Sequence, residues 1–335
     1  MKEEDLSARL RDCLDHLELE GLPGGTRVSR GKVRDVVDLG QELLITTTDR
    51  ISAFDSILTT IPCKGEVLNT LSLFWFAASA DIVPHHVREE VTPRTVRVAK
   101  AEVLPFEVVV RGYLTGSAWR DYQGGKEISG VRLPTGMRFN QAFETPLITP
   151  STKEATGTHD RPVSRNEVLS SGRVDTKIWE KVEEAALALF VRGKEIAARR
   201  GLILVDTKYE FGLRGSTLML VDEVHTPDSS RYWYADTWEK LFKAREPQRE
   251  LDKEYLRQWL IARGWKGDGP CPAIPEDVRT EVAWRYVTAW QTITGKSFSP
   301  RAADPREEAA IVTSAVFKGA PSAGGAPAPN RSTLS

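Results

Sequence analysis

The stretch LILVDTKYEFGLRGSTLMLVDEVHTPDSSRYW, Leu202 to Trp233, decides how the rest of the chain is read. Two apolar, β-rich runs bracket Gly212 and Gly215, which predicts two strands joined by a short loop. Leu202 and Leu204 are followed at the same alternate spacing by Asp206, Lys208 and Glu210, and Leu218 and Leu220 by Asp222. Alternate residues of a strand share a face, so one face should be apolar at one end and ionic at the other. Alternating charge by itself describes a half-solvated hairpin. Carboxylates from two strands can also converge on a hard cation, which takes oxygen ligands, and the turn from Pro227 to Arg231 adds Asp, Ser, Ser and Arg beside them. Glu210 and Asp222 can face one cation only if they lie nearly opposite. A two-residue turn at Gly215-Ser216 would set Glu210 opposite Val221, so a bulge or a longer loop is expected, with Glu223 as the alternative ligand.

The remaining composition bounds the class. A chain of 335 residues supports more than one core, and 40% hydrophobic with 28% charged residues is the composition of a globular protein. A net charge of -1 gives no global attraction to nucleic acid or to an anionic membrane. No 18-residue apolar run occurs, and the acidic start MKEEDLSARLRDCLDHLELE lacks the apolar core of a signal peptide, so a cytoplasmic protein is expected. Cys13, Cys63 and Cys271 are few and widely spaced, which offers neither a disulfide framework nor a zinc motif. Gly295-Lys296-Ser297 lacks the upstream glycine of a phosphate-binding loop, where Trp290 stands instead, and no GxGxxG, GxSxG or HExxH occurs.

Working outward, residues 4–20 are expected to be helical, with strands over 26–39 and 43–48. Between them SRGKVRD places Arg30, Gly31, Lys32 and Arg34 in succession, a glycine beside cations that would suit phosphate oxygens as well as an exposed strand. TDRISAFD clusters Asp49, Arg50, Ser52 and Asp55 in a loop. A helix opens at Lys64-Gly65, while His85 and His86 read as surface or loop residues. A proline-containing link near Val103 to Pro105 marks the domain joint. In VRGYLTGSAW, Arg111 suits an anion, and Ser117 suits either a helix cap or a ligand. Residues 134–162 read as a long irregular loop carrying Lys153 and Asp160. A long helix follows over 175–200, then the opening stretch, then helices near 252 and 275–292. The Ala-, Pro- and Gly-rich residues 299–335 read as a disordered tail.

RGKVRD, TDRISAFD, KGEVLNTLSLFWF, EVVVRGYLTGSAWRDY, TPSTKEATGTHD, DTKYEFG and VDEVHTPDSSRYW resemble, in this order, the motifs of the SAICAR synthetase family. The resemblance runs from about Val28 to Phe298. It implies an α+β, two-lobed fold similar to ATP-grasp and kinase-like nucleotide folds, with ATP in the cleft between lobes. Residues 25–103 would form the β-rich nucleotide lobe and 104–298 the α+β substrate and metal lobe, after an N-terminal extension over 1–24. It also implies ATP-dependent amide formation between the carboxylate of an aminoimidazole ribonucleotide, CAIR, and the amino group of L-aspartate, by way of carboxylate phosphorylation. Carried over to this sequence, Gly31, Lys32 and Arg34 would contact ATP with Val103 at the hinge, and Glu210 and Asp222 would bind Mg2+. Lys208, Lys153 and Asp160 would lie at the reacting groups, Arg111, Ser117, Ser230 and Arg231 would hold the ribonucleotide, and Asp49, Ser52 and Asp55 would lie on the aspartate side. Arg161-Pro162 after His159-Asp160 departs from the family pattern.

Two other classes compete. A kinase-like phosphotransferase acting on a small phosphorylated metabolite accounts for Lys32, Glu210 and Asp222 but not for the separate anion pocket of Arg111, Ser117, Ser230 and Arg231. A nucleotide-binding regulatory protein without turnover would not need every matched charged position to be present.

Overall fold

The structure, a computed structural model, describes residues 3–54, 56–153, 160–251 and 254–319. The first half builds one antiparallel sheet. After a short helix α1 (Glu3–Ser7) come β1 (Arg27–Arg30), β2 (Arg34–Asp38) and β3 (Glu42–Thr47), then a small hairpin of β4 (Arg50–Ala53) and β5 (Ser56–Thr60). Helix α2 (Lys64–Ala78) leads to β6 (Val87–Glu90) and β7 (Thr95–Ala99), which complete a sheet of order β1-β2-β3-β7-β6.

The second sheet carries the opening stretch. It contains β8 (Glu102–Tyr113), β9 (Ala142–Thr152), β10 (Leu202–Arg214), β11 (Thr217–Val221) and β12 (Ser230–Tyr234) in the order β11-β10-β8-β9, with β12 also on β10. Helix α3 (Gly116–Gln123) lies between β8 and β9, and α4 (Arg165–Ser170) and α5 (Thr176–Ala198) between β9 and β10. Helices α6 (Ala235–Ala244), α7 (Glu254–Ala262), α8 (Glu276–Thr294) and α9 (Pro305–Gly319) follow. Among the described residues, no helix is long and apolar enough to cross a membrane.

One face of the second sheet is core. Leu104, Phe106, Val108 and Val110 alternate inward from β8 and pack on Trp179, Val182, Ala186, Leu189 and Phe190 of α5, whose first turn Asp175 caps by accepting from the N–H groups of Lys177 and Ile178. Full burial of side chains this size contributes roughly 1.5–3 kcal/mol each, which fixes the sheet on the helix. The face turned away from α5 carries the polar chemistry.

Several elements differ from expectation. Residues 142–152, expected within an irregular loop, form an edge strand; Pro146 and Pro150 are tolerated there because an edge strand leaves one row of N–H groups unpaired. Among the described residues at the N-terminus, only 3–7 and a single 3-10 turn are helical. Beyond it the chain becomes a strap, because Leu14 and Leu17 enter the core and their N–H groups donate to the carboxylates of Asp49 and Asp35, each at 2.8 Å. The stretch expected to be a disordered tail contains α9. Asp304 caps it through the N–H groups of Arg306 and Glu307, and Ala309, Val312 and Val316 recur at helical spacing to pack on Val37 and Leu44. Residues 320–335 lie outside the described residues. The joint expected near Val103 falls at the start of one continuous strand, β8.

Candidate active site

The opening stretch forms the expected hairpin, but its geometry differs in two instructive ways. The turn is the simple two-residue one: Arg214 pairs with Thr217 and Glu210 with Val221, without the bulge or longer loop expected on this side. Asp222 reaches the ionic face differently. It leaves the strand in the left-handed region, at φ 69°, and this turn lets Asp222 and Glu223 both meet Arg34. Arg34 pairs with Asp222 and, at 2.9 Å, with Glu223, so both carboxylates stand at the ionic group.

The irregularity sits at the other end of β10, on the edge that β12 shares with β11. Its register against β12 shifts between Leu204 and Asp206. One extra residue flips the parity of a strand. Accordingly Leu202 and Leu204 share a core with Tyr209 and Phe211, and Asp206, Lys208 and Glu210 occupy the opposite face. The expectation that leucines and charges share one face is corrected by this bulge. Cross-strand pairing then assembles the polar face, since Asp206 lies opposite Arg111, Lys208 opposite Val109 and Glu210 opposite Glu107. From β9, Thr149 lies opposite Val109 and Ser151 opposite Glu107.

Two groups form on this face. In the first, Lys208 Nζ donates to Glu210 Oε1 at 2.5 Å and Glu107 Oε1 at 2.9 Å and lies 3.9 Å from Asp222 Oδ2, while Lys153 pairs with the other oxygen of Glu210. Burial would raise the pKa of Glu210, but Lys208 and Lys153 outweigh it and hold this carboxyl well below the usual range. Asp222 goes the other way: burial pushes it up, and Arg34 only partly opposes that. Glu107 is likewise raised by burial against the pull of Lys208, with the exposed Asp160 adding negative charge to its field. Burial disfavours the charge on Lys208, yet Glu210, Asp222 and Glu107 together raise its pKa.

The second group is an arginine pair on one aspartate. Asp206, 5% exposed, accepts from Arg231 Nε at 2.9 Å and from Arg231 Nη2, and from Arg111 Nη1 at 3.3 Å. Arg111 also donates to Ser117 Oγ at 3.1 Å and Thr149 Oγ1 at 3.0 Å. Ser230 Oγ donates to Thr207 Oγ1. Burial would push Asp206 up, but Arg231 and Arg111 keep it below its ordinary value; the same burial lowers Arg111. Arg231, Ser117 and Ser230 border a cleft of about 520 Å³ that Lys32 and Ser52 also line.

Most expected residues therefore meet in one region, and some do not. Lys32 stands in the turn between β1 and β2 rather than on an extended strand, and the N–H of Gly31 closes that turn onto Arg34 O at 2.7 Å. Arg34 faces carboxylates. Asp49 is corrected outright: fully buried, its carboxylate accepts from the N–H groups of Leu14 and Gly65 and from Arg94, away from the cleft. Val103 is 43% exposed, pairs with Gly212, and is not among the cleft-lining residues. Asp55 lies outside the described residues. His86, expected at the surface, is 4% exposed, and burial with the nearby Arg34 lowers its pKa to about 3. Sequence reading missed Asp206 and Glu107 as members. Asp228, noted in the Pro227–Arg231 turn beside the carboxylates but given no role, lines the cleft and accepts from the buried Lys64 at 2.8 Å and from the Tyr286 hydroxyl. Asp206 carried a signal in its alternate spacing with Lys208 and Glu210, whereas Glu107 carried none.

The carboxylate group also has to be tested against a divalent cation. Among the described residues, no three or more His, Cys, Asp or Glu side chains converge as a cation site. Magnesium, however, is commonly held by one or two carboxylates together with substrate phosphates, so the hard oxygens of Glu210 and Asp222 fit such an ion in donor chemistry.

An α+β fold that presents a lysine–carboxylate group and an arginine–serine pocket on one sheet face, beside a polar cleft, defines an enzyme that handles anionic small molecules. Comparison with known proteins is more specific: residues 27–271 match the SAICAR synthetase family, and the chain belongs to that family, whose members are ligases of purine biosynthesis. Phosphoribosylaminoimidazole-succinocarboxamide synthase of Bacteroides thetaiotaomicron is 46% identical over 281 residues, covering 82% of this chain and 90% of the relative. The enzyme of the same name from Legionella pneumophila (strain Paris) is 44% identical over 285 residues, 83% of this chain and 90% of the relative. Among solved structures, the Saccharomyces cerevisiae SAICAR synthase complexed with SAICAR superposes with a TM-score of 0.75 at 34% identity, covering 86% of this chain and all of that one.

Proposed function

We propose that this chain joins the carboxylate of CAIR to the amino group of L-aspartate at the expense of ATP, giving SAICAR, ADP and phosphate. The observation that carries the reading is the pairing, on one strand, of a lysine–carboxylate group with an arginine–serine pocket, in a chain 34% identical to a SAICAR synthase solved with SAICAR. A carboxylate does not react with an amine until its oxygen is made a leaving group. Phosphorylation does this, and catalysis of phosphoryl transfer is mainly positioning and charge neutralisation.

In this reading Arg111, Arg231, Ser117 and Ser230 hold the phosphate-bearing end of CAIR. Arg231 is set for that role because Asp206 fixes its guanidinium through two parallel contacts. Lys32, which lines the same cleft, meets the nucleotide phosphates. Glu210 and Asp222 would hold Mg2+, which when bound neutralises phosphate charge and orients the nucleotide. Lys208 and Lys153 stand beside Glu210 and balance charge that builds on the transferred group. Ser52 lines the same cleft and is assigned to the amino-acid side.

The test is release of ADP and of phosphate with ATP, CAIR and L-aspartate present together and with each omitted in turn. The ligase requires all three for sustained release. ADP formed from ATP and CAIR without L-aspartate, with the phosphoryl group retained on the acceptor, would instead favour the phosphotransferase, which also accounts for Lys32, Glu210 and Asp222.

A further inference from the structure

Arg50 has no part in the site as described, yet it is a buried cation with an unusual set of acceptors. Its side chain is 6% exposed, and Nη2 donates to the fully buried carboxylate of Asp35 at 2.8 Å. That contact alone would neutralise it. Instead the fork also takes two consecutive carbonyls of the turn that bears Lys32: Nη2 donates to Gly31 O at 3.1 Å and Nε to Lys32 O at 3.0 Å. The third carbonyl, Val33 O, accepts from Thr48 Oγ1 at 2.9 Å and Thr48 N at 3.0 Å. Arg50 Nη1 donates to Asp15 O of the N-terminal strap, and the second oxygen of Asp35 accepts from Leu17 N.

The consequence follows from peptide geometry. A trans peptide is planar with its C=O and N–H antiparallel. Drawing the carbonyls of Gly31 and Lys32 onto Arg50 turns the N–H groups of Lys32 and Val33 to the other side of the turn. Carbonyl oxygens facing the cleft would repel phosphate oxygens, whereas successive N–H groups form a concavity that suits an anion. A lysine at position 50 could answer the charge of Asp35 but could not fork across two carbonyls.

We propose that Arg50, seconded by Thr48, is a positioning residue that sets the Gly31–Lys32–Val33 turn to receive the phosphates of the nucleotide, and that the N-terminal strap is fastened to the same guanidinium. This rests on the reading of Lys32 as a phosphate contact. Residues 14–17 precede the stretch matched by the family, 27–271, so this support comes from outside it.

The test uses the full chain with Arg50→Lys, Thr48→Val and, as the arm that examines the underlying reading, Lys32→Ala. Melting curves establish folding, calorimetry gives ATP affinity without turnover, and steady-state kinetics give KM for all three substrates. Arg50→Lys and Lys32→Ala should each weaken ATP about tenfold, the loss of hydrogen bonds from a charged donor, and leave CAIR and L-aspartate within about twofold. Thr48→Val should weaken ATP roughly threefold. A folded Arg50→Lys that binds ATP normally, or that weakens all three substrates equally, overturns the inference while the Lys32 result stands. Normal ATP affinity in Lys32→Ala overturns the reading beneath it. If Arg50→Lys does not fold, the nearly isosteric Thr48→Val decides, and unchanged ATP affinity there overturns the inference.

Discussion

Adding one methyl group at Gly116 would test the seat of Arg231 without removing any charge. Gly116 opens α3 at φ 57°, and a Cβ there would lie 2.2 Å from Arg231 Nη1, 2.5 Å from Nη2 and 2.7 Å from Cζ. The obstacle is the far end of a side chain, so the guanidinium can move aside, but only by leaving Asp206. The left-handed backbone costs a non-glycine residue about 1 kcal/mol. Loss of the charged, two-point contact adds roughly 1.5–3 kcal/mol. It stays below the 3–5 kcal/mol of a wholly orphaned buried charge, because Arg111 remains on Asp206 at 3.3 Å.

Gly215 supplies the control. Its φ is 61°, but no atom lies within 4 Å of where a Cβ would be, so Gly215→Ala incurs the backbone cost alone. Urea unfolding should place Gly116→Ala roughly 2 kcal/mol below Gly215→Ala. In kinetics, Gly116→Ala should raise KM for CAIR by about ten- to a hundredfold and leave KM for ATP nearly unchanged, because only the arginine end is disturbed. Equal stability of the two variants together with a normal CAIR requirement would refute the placement of Arg231 and its role in holding the ribonucleotide.

Two further outcomes follow from the lysine–carboxylate group. Asp222→Asn should retain the fold, since asparagine tolerates the left-handed region and Glu223 keeps Arg34 paired at 2.9 Å, but turnover should fall at least about a hundredfold. Normal turnover would remove Asp222 from the nucleotide–metal group. Lys208→Met should lose stability in a defined pH window. Glu210 is held below its unfolded value of about 4.3, so its contribution is present above that pH and fades as pH falls toward the folded value. Lys208 is raised above its unfolded value of about 10.4, so its contribution is complete below that pH and is lost above it. The stability difference between wild type and Lys208→Met, from urea unfolding, should therefore shrink below about pH 4 and above about pH 10, and level off between them once the raised Glu107 and Asp222 are ionised. A difference that grows below pH 4 would contradict the pairing.

What could be read from the sequence was local. The hairpin over Leu202 to Val221 and the helix at 176–198 follow from periodicity and from a cap that lies within the same stretch. The ionic residues were visible for the same reason, as an alternation along one strand. Features set by distant partners were not visible. Asp49 and Arg50 look alike as polar loop residues; burial of one against Arg94 and Leu14 and of the other against Asp35 depends on chain far away in sequence. The bulge beyond Leu204 exists only relative to β12, and the edge strand 142–152 only relative to β8. The helix at 305–319 was obscured by composition, although Asp304-Pro305 and the spacing of Ala309, Val312 and Val316 mark it.

The polarity of the site comes from where the bulge places the face switch. Downstream of it, among the described residues, Glu107, Glu210, Asp222 and Glu223 outnumber Arg34, Lys153 and Lys208 by one, so that end carries an excess negative charge. At the other end Arg111 and Arg231 share the single carboxylate of Asp206, an excess positive charge. Asp206 and Glu210 are four residues apart on one strand, a separation of about 13 Å. In the proposed reaction a metal-bearing nucleotide and a phosphate-bearing partner would be sorted by sign along β10: the acidic end would favour the cation that accompanies polyphosphate, and the basic end a bare phosphate. Without the bulge, Leu202 and Leu204 would fall on the ionic face with Asp206, in contact with water, while Tyr209 and Phe211 held the opposite side. The single inserted residue satisfies the core and leaves the charged run intact, which is why both groups can be built from one strand.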